Sequence, residues 1–209
     1  MTGGRVWRYR LVIGVGYVAS MAAYARLPTT RYAVGSYAFV ATPLIAGLLP
    51  TLAAVMAVSV TAIWKRDLIR DPEEAFAPTY NAILFAVVAF VIGMHLLVMG
   101  ALTGALPPSV WFARGTIVLF GLVVMRVGDL LPRTRPNLAL GIGTPRTLAD
   151  RRVWMLTHRT AGHLSVLLGV IIVIAGAVLS KDAMPPVVGP ASLAAAGILI
   201  LCHYRYAHQ

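Results

Sequence analysis

Long apolar runs separated by short polar or proline-containing breaks dominate the chain. A helix that crosses the hydrocarbon core of a bilayer needs about 20 mainly apolar residues. Six stretches approach that length: residues 7–25, 37–64, 80–106, 109–131, 162–180 and 187–203. The pattern predicts an all-α, polytopic integral membrane protein with about six transmembrane helices, forming one helical domain over residues 1–209. Pro43 and Pro50 break the second stretch and predict kinks there, because neighbouring helices can satisfy the carbonyls a proline frees. Residues 26–36 form the longest connection on one side, while 181–186 and the turn around Pro107 and Pro108 are tight. Arg5, Arg8 and Arg10 precede the first run, but no small-residue cleavage site follows it, so it reads as an uncleaved span.

The alternation of apolar run and short break fails once, between Arg126 and His163. That segment reads RVGDLLPRTRPNLALGIGTPRTLADRRVWMLTHRTAGH and carries seven of the 18 Lys and Arg residues. Pro132 and Pro136 end the fourth helix and hold the following chain extended. Gly141 and Gly143 permit left-handed or closely approaching backbone. Pro145 precedes Thr147, and Thr147-Leu148-Ala149-Asp150 has the form of a capping box with Asp in place of Glu or Gln. A short helix is expected from about Leu148, lying along the membrane with Trp154 among Arg151, Arg152 and Arg159, before the chain turns into the fifth span. Residues 132–161 are thus expected to be a motif loop between the fourth and fifth spans. An ordinary basic connector is the plainer alternative, although loops of this length are often functional.

Composition fixes the class and the orientation. Hydrophobic residues make up 59% and charged residues 12%, and mean hydropathy is +0.80; a soluble domain carries about 25% charged residues. The formal net charge of +11 sits between the apolar runs, without the basic and aromatic alternation that would favour direct nucleic-acid binding. With six spans, fourteen of the 18 basic residues share one side with both termini, and Arg26, Arg31, Arg114 and Lys181 lie on the other. The positive-inside rule then places both termini, the 65–78 loop and the 132–161 loop in the cytoplasm. Asp67, Asp71, Glu73 and Glu74 of the 65–78 loop face the same side as the Arg-rich loop, and exposed pairs between them are worth about 0–1 kcal/mol each.

Candidate chemistry inside the spans is sparse. His95 and Arg114 lie at similar depths and could share a polar pocket between the third and fourth helices; the simpler expectation is a histidine bonded to a neighbouring hydroxyl or carbonyl, with Arg114 reaching the headgroups. Arg126 and Asp129 are spaced i,i+3 and can pair on one face of the fourth helix. His158 and His163 are five apart, off the spacing of paired metal ligands, and His203 and His208 are terminal, so neither a metal nor another cofactor is expected. The single Cys202 excludes an intramolecular disulfide, and no catalytic constellation is legible. Gly14, Gly16, Gly93, Gly100 and Gly104 suit close helix packing, the last two at GxxxG spacing.

The segment also resembles the signature of the SdpI family, the sporulation-delaying toxin immunity proteins. That family typically shows Gly-Asn-x-Leu-Pro-Lys, then Pro-Asn, a Gly-Ile-Arg-Thr-Pro-Trp-Thr-Leu core, Val-Trp, and Thr-His-Arg. Gly128, Leu131, Pro132, Pro136, Asn137, Gly141, Ile142, Thr144, Pro145, Thr147, Leu148, Val153, Trp154, Thr157, His158, Arg159 and Gly162 follow that pattern in order. Asp129 stands where Asn is usual, Arg133 where Lys is, Gly143 where Arg is and Arg146 where Trp is. The likeness covers about the C-terminal half, including the fourth and fifth spans, and is weak before it. It implies a multi-pass protein of the bacterial cell membrane that gives immunity to an antimicrobial peptide toxin, or signals by holding a cytoplasmic regulatory protein at the membrane. It also makes Asp129, Arg135 and the motif residues through Arg159 the candidate partner-binding surface. The other reading, from His95, Arg114 and the Arg126–Asp129 pair, is a small transporter or membrane enzyme acting on a lipid or small anion.

Overall fold

The computed structural model describes residues 6–24, 26, 32–34, 38–40, 42–70, 77–106, 110–137, 139–180, 183 and 185–207. Its helices are α1 (Val6–Tyr24), α2 (Thr42–Arg70), α3 (Ala77–Leu102), α4 (Val110–Leu130), α5 (Pro145–Ala149), α6 (Arg151–Val178) and α7 (Pro185–Ala207). The architecture is helical and multi-pass. Helices α2, α3, α4, α6 and α7 are each long and apolar enough to cross a membrane. The expected first span is present as α1, but Arg8, Tyr9 and Arg10 occupy its first turns, so its uninterrupted apolar stretch is shorter than a bilayer-spanning helix needs.

Three boundaries differ from the hydropathy reading. The second span does not begin near residue 37: Tyr32–Val34 (β1) and Ala38–Val40 (β2) form an antiparallel hairpin, with Ala33 opposite Phe39. The alternating small and large residues around Gly35-Ser36 favour paired strands over a helix here. At its other end α2 continues to Arg70, so much of the expected 65–78 loop is helical, and the proposed pairing of its acids with the motif loop lies outside the described side chains. Helix α3 stops at Leu102, and Gly104 takes φ +72° in a turn that lets the Leu106 amide reach the Gly100 carbonyl at 2.9 Å. Gly100 and Gly104 therefore form a helix stop and not the expected GxxxG contact: a Cβ at Gly100 would strike Leu106 of its own turn.

Packing runs in series. Helices α1, α2 and α3 contact one another, α3 contacts α4, α4 contacts α6, and α6 contacts α7. The α1–α3 unit buries Tyr9, Ala53, Ala57, Tyr80, Leu84, Val88 and Ile92, and the Tyr80 hydroxyl donates to the Val60 carbonyl. Pro50 lies within α2 and is buried.

Contact between α4 and α6 is set by glycines. A Cβ at Gly162 would lie 2.7 Å from the Gly128 carbonyl oxygen, and one at Gly169 would lie 2.7 Å from the Gly121 carbonyl oxygen. At Gly176 it would meet Ile117 at 2.8 Å. Gly121 and Gly128 on α4, and Gly162, Gly169 and Gly176 on α6, recur every seven residues, which keeps one seam facing the partner helix. The two helices approach this closely because the glycines carry no side chain, which leaves room for the partner's backbone and for Met125, Ser165 and Val173.

Candidate functional site: the loop between α4 and α6

A 3₁₀ turn over Leu131–Arg133 ends α4, with Pro132 packed against Gly162 of α6. The chain then crosses the end of the bundle. Ala139 and Leu140 pack on the α1–α3 core, so the loop bridges the two ends of the serial bundle. Half-buried Pro136 leads into Asn137, whose buried side chain closes this crossing. Its Nδ2 donates to the carbonyls of Arg135 (2.7 Å) and Leu140 (3.0 Å), and its Oδ1 accepts from the amides of Ala139 (2.9 Å) and Leu140 (2.6 Å). One side chain thus supplies the hydrogen bonds a turn would otherwise take from water.

His158 holds the next residues. Its Nε2 accepts from the Ile142 amide at 2.9 Å, which makes Nδ1 the protonated nitrogen, donating to the Trp154 carbonyl at 2.8 Å. The imidazole stacks on the Trp154 indole with centroids 3.8 Å apart and planes 13° apart. Trp154 Nε1 in turn donates to Thr134 Oγ1 at 3.2 Å. Gly141 lies over this stack with φ +115°, and a Cβ there would lie 2.3 Å from His158 Nε2, so only glycine fits. Among the candidate residues, Trp154, Thr157, His158 and Thr147 are buried together, bonded to Thr134, His203 and the Ile142 and Trp154 carbonyls.

The helix starts fall one motif earlier than expected. Thr144, and not Thr147, caps α5: the Thr147 amide donates to Thr144 Oγ1 and the Thr144 amide donates to Thr147 Oγ1, with Pro145 at the first helical position. Proline's fixed φ suits that position, so Pro145 decides the register between two equally good Thr caps. Thr147 Oγ1 also donates to the Ile142 carbonyl at 2.6 Å, tying α5 back to the loop. Asp150 does not close the α5 box but caps α6, accepting from the amides of Arg152 and Val153. Helix α6 then runs unbroken to Val178, so Arg151–Ala161 are the first turns of the fifth span and not a separate surface helix. Arg159 is exposed on it, on the same outward face as Arg151, Arg152 and Met155.

Two features of this region are missing from the sequence expectations. His203, dismissed there as terminal, reaches back from α7: its Nδ1 lies 3.2 Å from Thr157 Oγ1 and its Nε2 lies 3.4 Å from Thr144 Oγ1. Thr160 and Tyr206 hydroxyls pair at 3.0 Å beside it. The heptad glycines of α4 and α6 were the other omission, and their spacing was the available signal. Asp129 pairs as expected with Arg126 (2.8 Å), and its second oxygen takes Arg133 (3.1 Å).

The intramembrane candidates do not converge. His95 is buried and faces α1, where its Nε2 lies 2.7 Å from Ser20 Oγ, which also reaches the Ala46 carbonyl at 2.6 Å and the Gly16 carbonyl at 2.8 Å. Gly93 against Leu119 and Gly115 against Leu97 fix the α3–α4 register and set Arg114 about one turn from His95. No polar contact joins the two among the described residues. Arg114 Nε, Thr116 Oγ1 and His95 Nδ1 are buried without a hydrogen-bond partner. No group of three or more potential metal ligands occurs among the described residues.

Residues 133–202 match the model of the SdpI/YfhL protein family. The match starts at the end of the 3₁₀ turn and takes in α5, α6 and most of α7, so it reaches further toward the C-terminus than the motif text and leaves α4 outside. No curated protein and no solved structure matches the chain.

Proposed function

From the SdpI/YfhL family segment at residues 133–202, we propose that this membrane protein uses the α4–α6 loop to hold a protein partner. The partnership would serve immunity to an antimicrobial peptide, signalling through a cytoplasmic regulatory protein retained at the membrane, or both. One observation carries this reading: the loop is organised by buried side chains whose hydrogen bonds close within it, while its outer surface remains open. Asn137, Thr147, Trp154 and His158 lie inside, and Arg146, Arg151, Arg152, Met155 and Arg159 lie outside. A preorganised surface binds without first losing conformational entropy, which favours recognition by a folded partner.

The four departures from the family's usual text support a role in specificity. Asp129, Arg133, Gly143 and Arg146 are all exposed; of the residues that follow the pattern, Asn137, Thr147, Trp154, Thr157, His158 and Gly162 are buried and Gly141, Pro145 and Arg159 are exposed. The same internal frame would then display a different outer surface. The test is a triple Arg146→Ala, Arg151→Ala, Arg159→Ala variant expressed at wild-type level in cells lacking the native gene. The reading expects loss of protection against a membrane-active peptide, or loss of one specific loop-dependent partner, without loss of membrane insertion. Unchanged peptide sensitivity on deleting the gene, together with an unchanged set of copurifying proteins in the triple variant, would contradict it.

A further inference from the structure

A cleft of about 490 Å³ opens at the loop end of the bundle, between the first turns of α1 and α3 and the last turns of α4. Arg8 and Arg126 flank it. Pro78, Asn81, Ala82, Phe85 and Ala86 form its wall, and their i, i+3, i+4, i+7, i+8 spacing makes them one face of α3. The cleft is separate from the loop's buried frame. Among the described residues, no acidic side chain lines it. Asp129 accepts from both Arg126 and Arg133, so among the described side chains one carboxylate faces two guanidinium groups, and Arg8 adds a third positive charge at the cleft. The wall changes character along α3: polar at Asn81, then small and apolar at Ala82 and Ala86, with Phe85 38% exposed.

We propose that this cleft binds an anionic phospholipid, with the phosphate between Arg8 and Arg126 and the upper acyl chain along Ala82, Phe85 and Ala86. Two chemical arguments converge on that ligand. Guanidinium groups present forked donors that match phosphate oxygens, and both arginines flank the first turns of α3, a helix long and apolar enough to cross a membrane. The apolar wall belongs to that same helix, so a headgroup held here has an apolar helix face along which its chains can run. A soluble phosphate would use the arginines and leave that wall unused.

Native mass spectrometry of the purified full chain, in micelles doped with phosphatidylglycerol or phosphatidylcholine, tests the assignment. The wild type is expected to retain one phosphatidylglycerol under conditions that strip phosphatidylcholine. Arg8→Gln, which leaves the Arg126–Asp129–Arg133 network intact, is expected to weaken retention about tenfold, as loss of a charge-assisted hydrogen bond does. Arg126→Lys keeps the charge but loses the fork, and is expected to weaken retention to a smaller degree; it also serves if Arg8→Gln does not fold. Equal retention of both lipids, or wild-type retention in the folded variants, would overturn the proposal. Displacement of the lipid by millimolar inorganic phosphate would overturn the lipid assignment in favour of a soluble phosphate site.

Discussion

Asn137 does with one amide what a regular turn does with four backbone groups. Because Nδ2 donates twice and Oδ1 accepts twice, the site distinguishes Asn from its isostere Asp. Asn137→Asp keeps both acceptor contacts but turns the two carbonyl-facing bonds into repulsions. We expect it to cost about 1–3 kcal/mol of loop stability, measured as a lower midpoint of thermal unfolding in detergent, and to be no milder than Asn137→Ala. At Gly141 any side chain meets His158 while also requiring an unfavourable φ, so Gly141→Ala should destabilise the loop. Gly143→Arg should be tolerated, because the nearest atom to a Cβ there is Leu148 Cδ1 at 3.9 Å. A midpoint falling for Gly143→Arg as far as for Gly141→Ala would contradict this account of the two glycines. The family resemblance marks Asn137, Trp154 and His158 in the sequence. Their roles were not legible, because the partners are backbone groups such as the Ile142 amide, 16 residues from His158 and silent in sequence.

At the scale of elements, the heptad glycines make α4 and α6 the pair least able to accept bulk. Gly169→Leu places atoms where the Gly121 carbonyl and Met125 already stand, and overpacking of this kind costs about 1–3 kcal/mol. Gly197→Leu on α7 adds a side chain where nothing lies within 4 Å, and should leave stability unchanged. Thermal unfolding of both variants in the same detergent checks the contrast; equal midpoints would refute the glycine seam. Hydropathy located the long helices because an apolar run of that length has few alternatives. It misplaced the start of α6, since Arg151, Arg152 and Arg159 lower the local hydropathy while the helix continues through them with its charges on the exposed face. It also missed the β1–β2 hairpin, whose apolar alternation merges with the run that follows.

For the molecule as a whole, the loop is a tie between parts whose main contacts among the described residues run in series. Ala139 and Leu140 rest on the α1–α3 core, Pro132 rests on α6, and His203 brings α7 to Thr144 and Thr157. Sequence could place the loop at one end of the bundle, but contacts across 59 residues, as between Thr144 and His203, depend on tertiary packing. His203→Ala should therefore loosen the loop without shortening α7, seen as faster amide exchange around residue 144 with unchanged helicity by circular dichroism.

Buried side chains hold the loop rigid, and hydrogen exchange over residues 137–148 of the full chain in nanodiscs tests this most directly. Slow exchange at Leu140 and Ile142 is predicted for the wild type and for Arg146→Ala, whose side chain is exposed, and loss of that protection is predicted for His158→Ala. Wild-type exchange as fast as that of an unstructured peptide, or full protection in His158→Ala, would contradict the account.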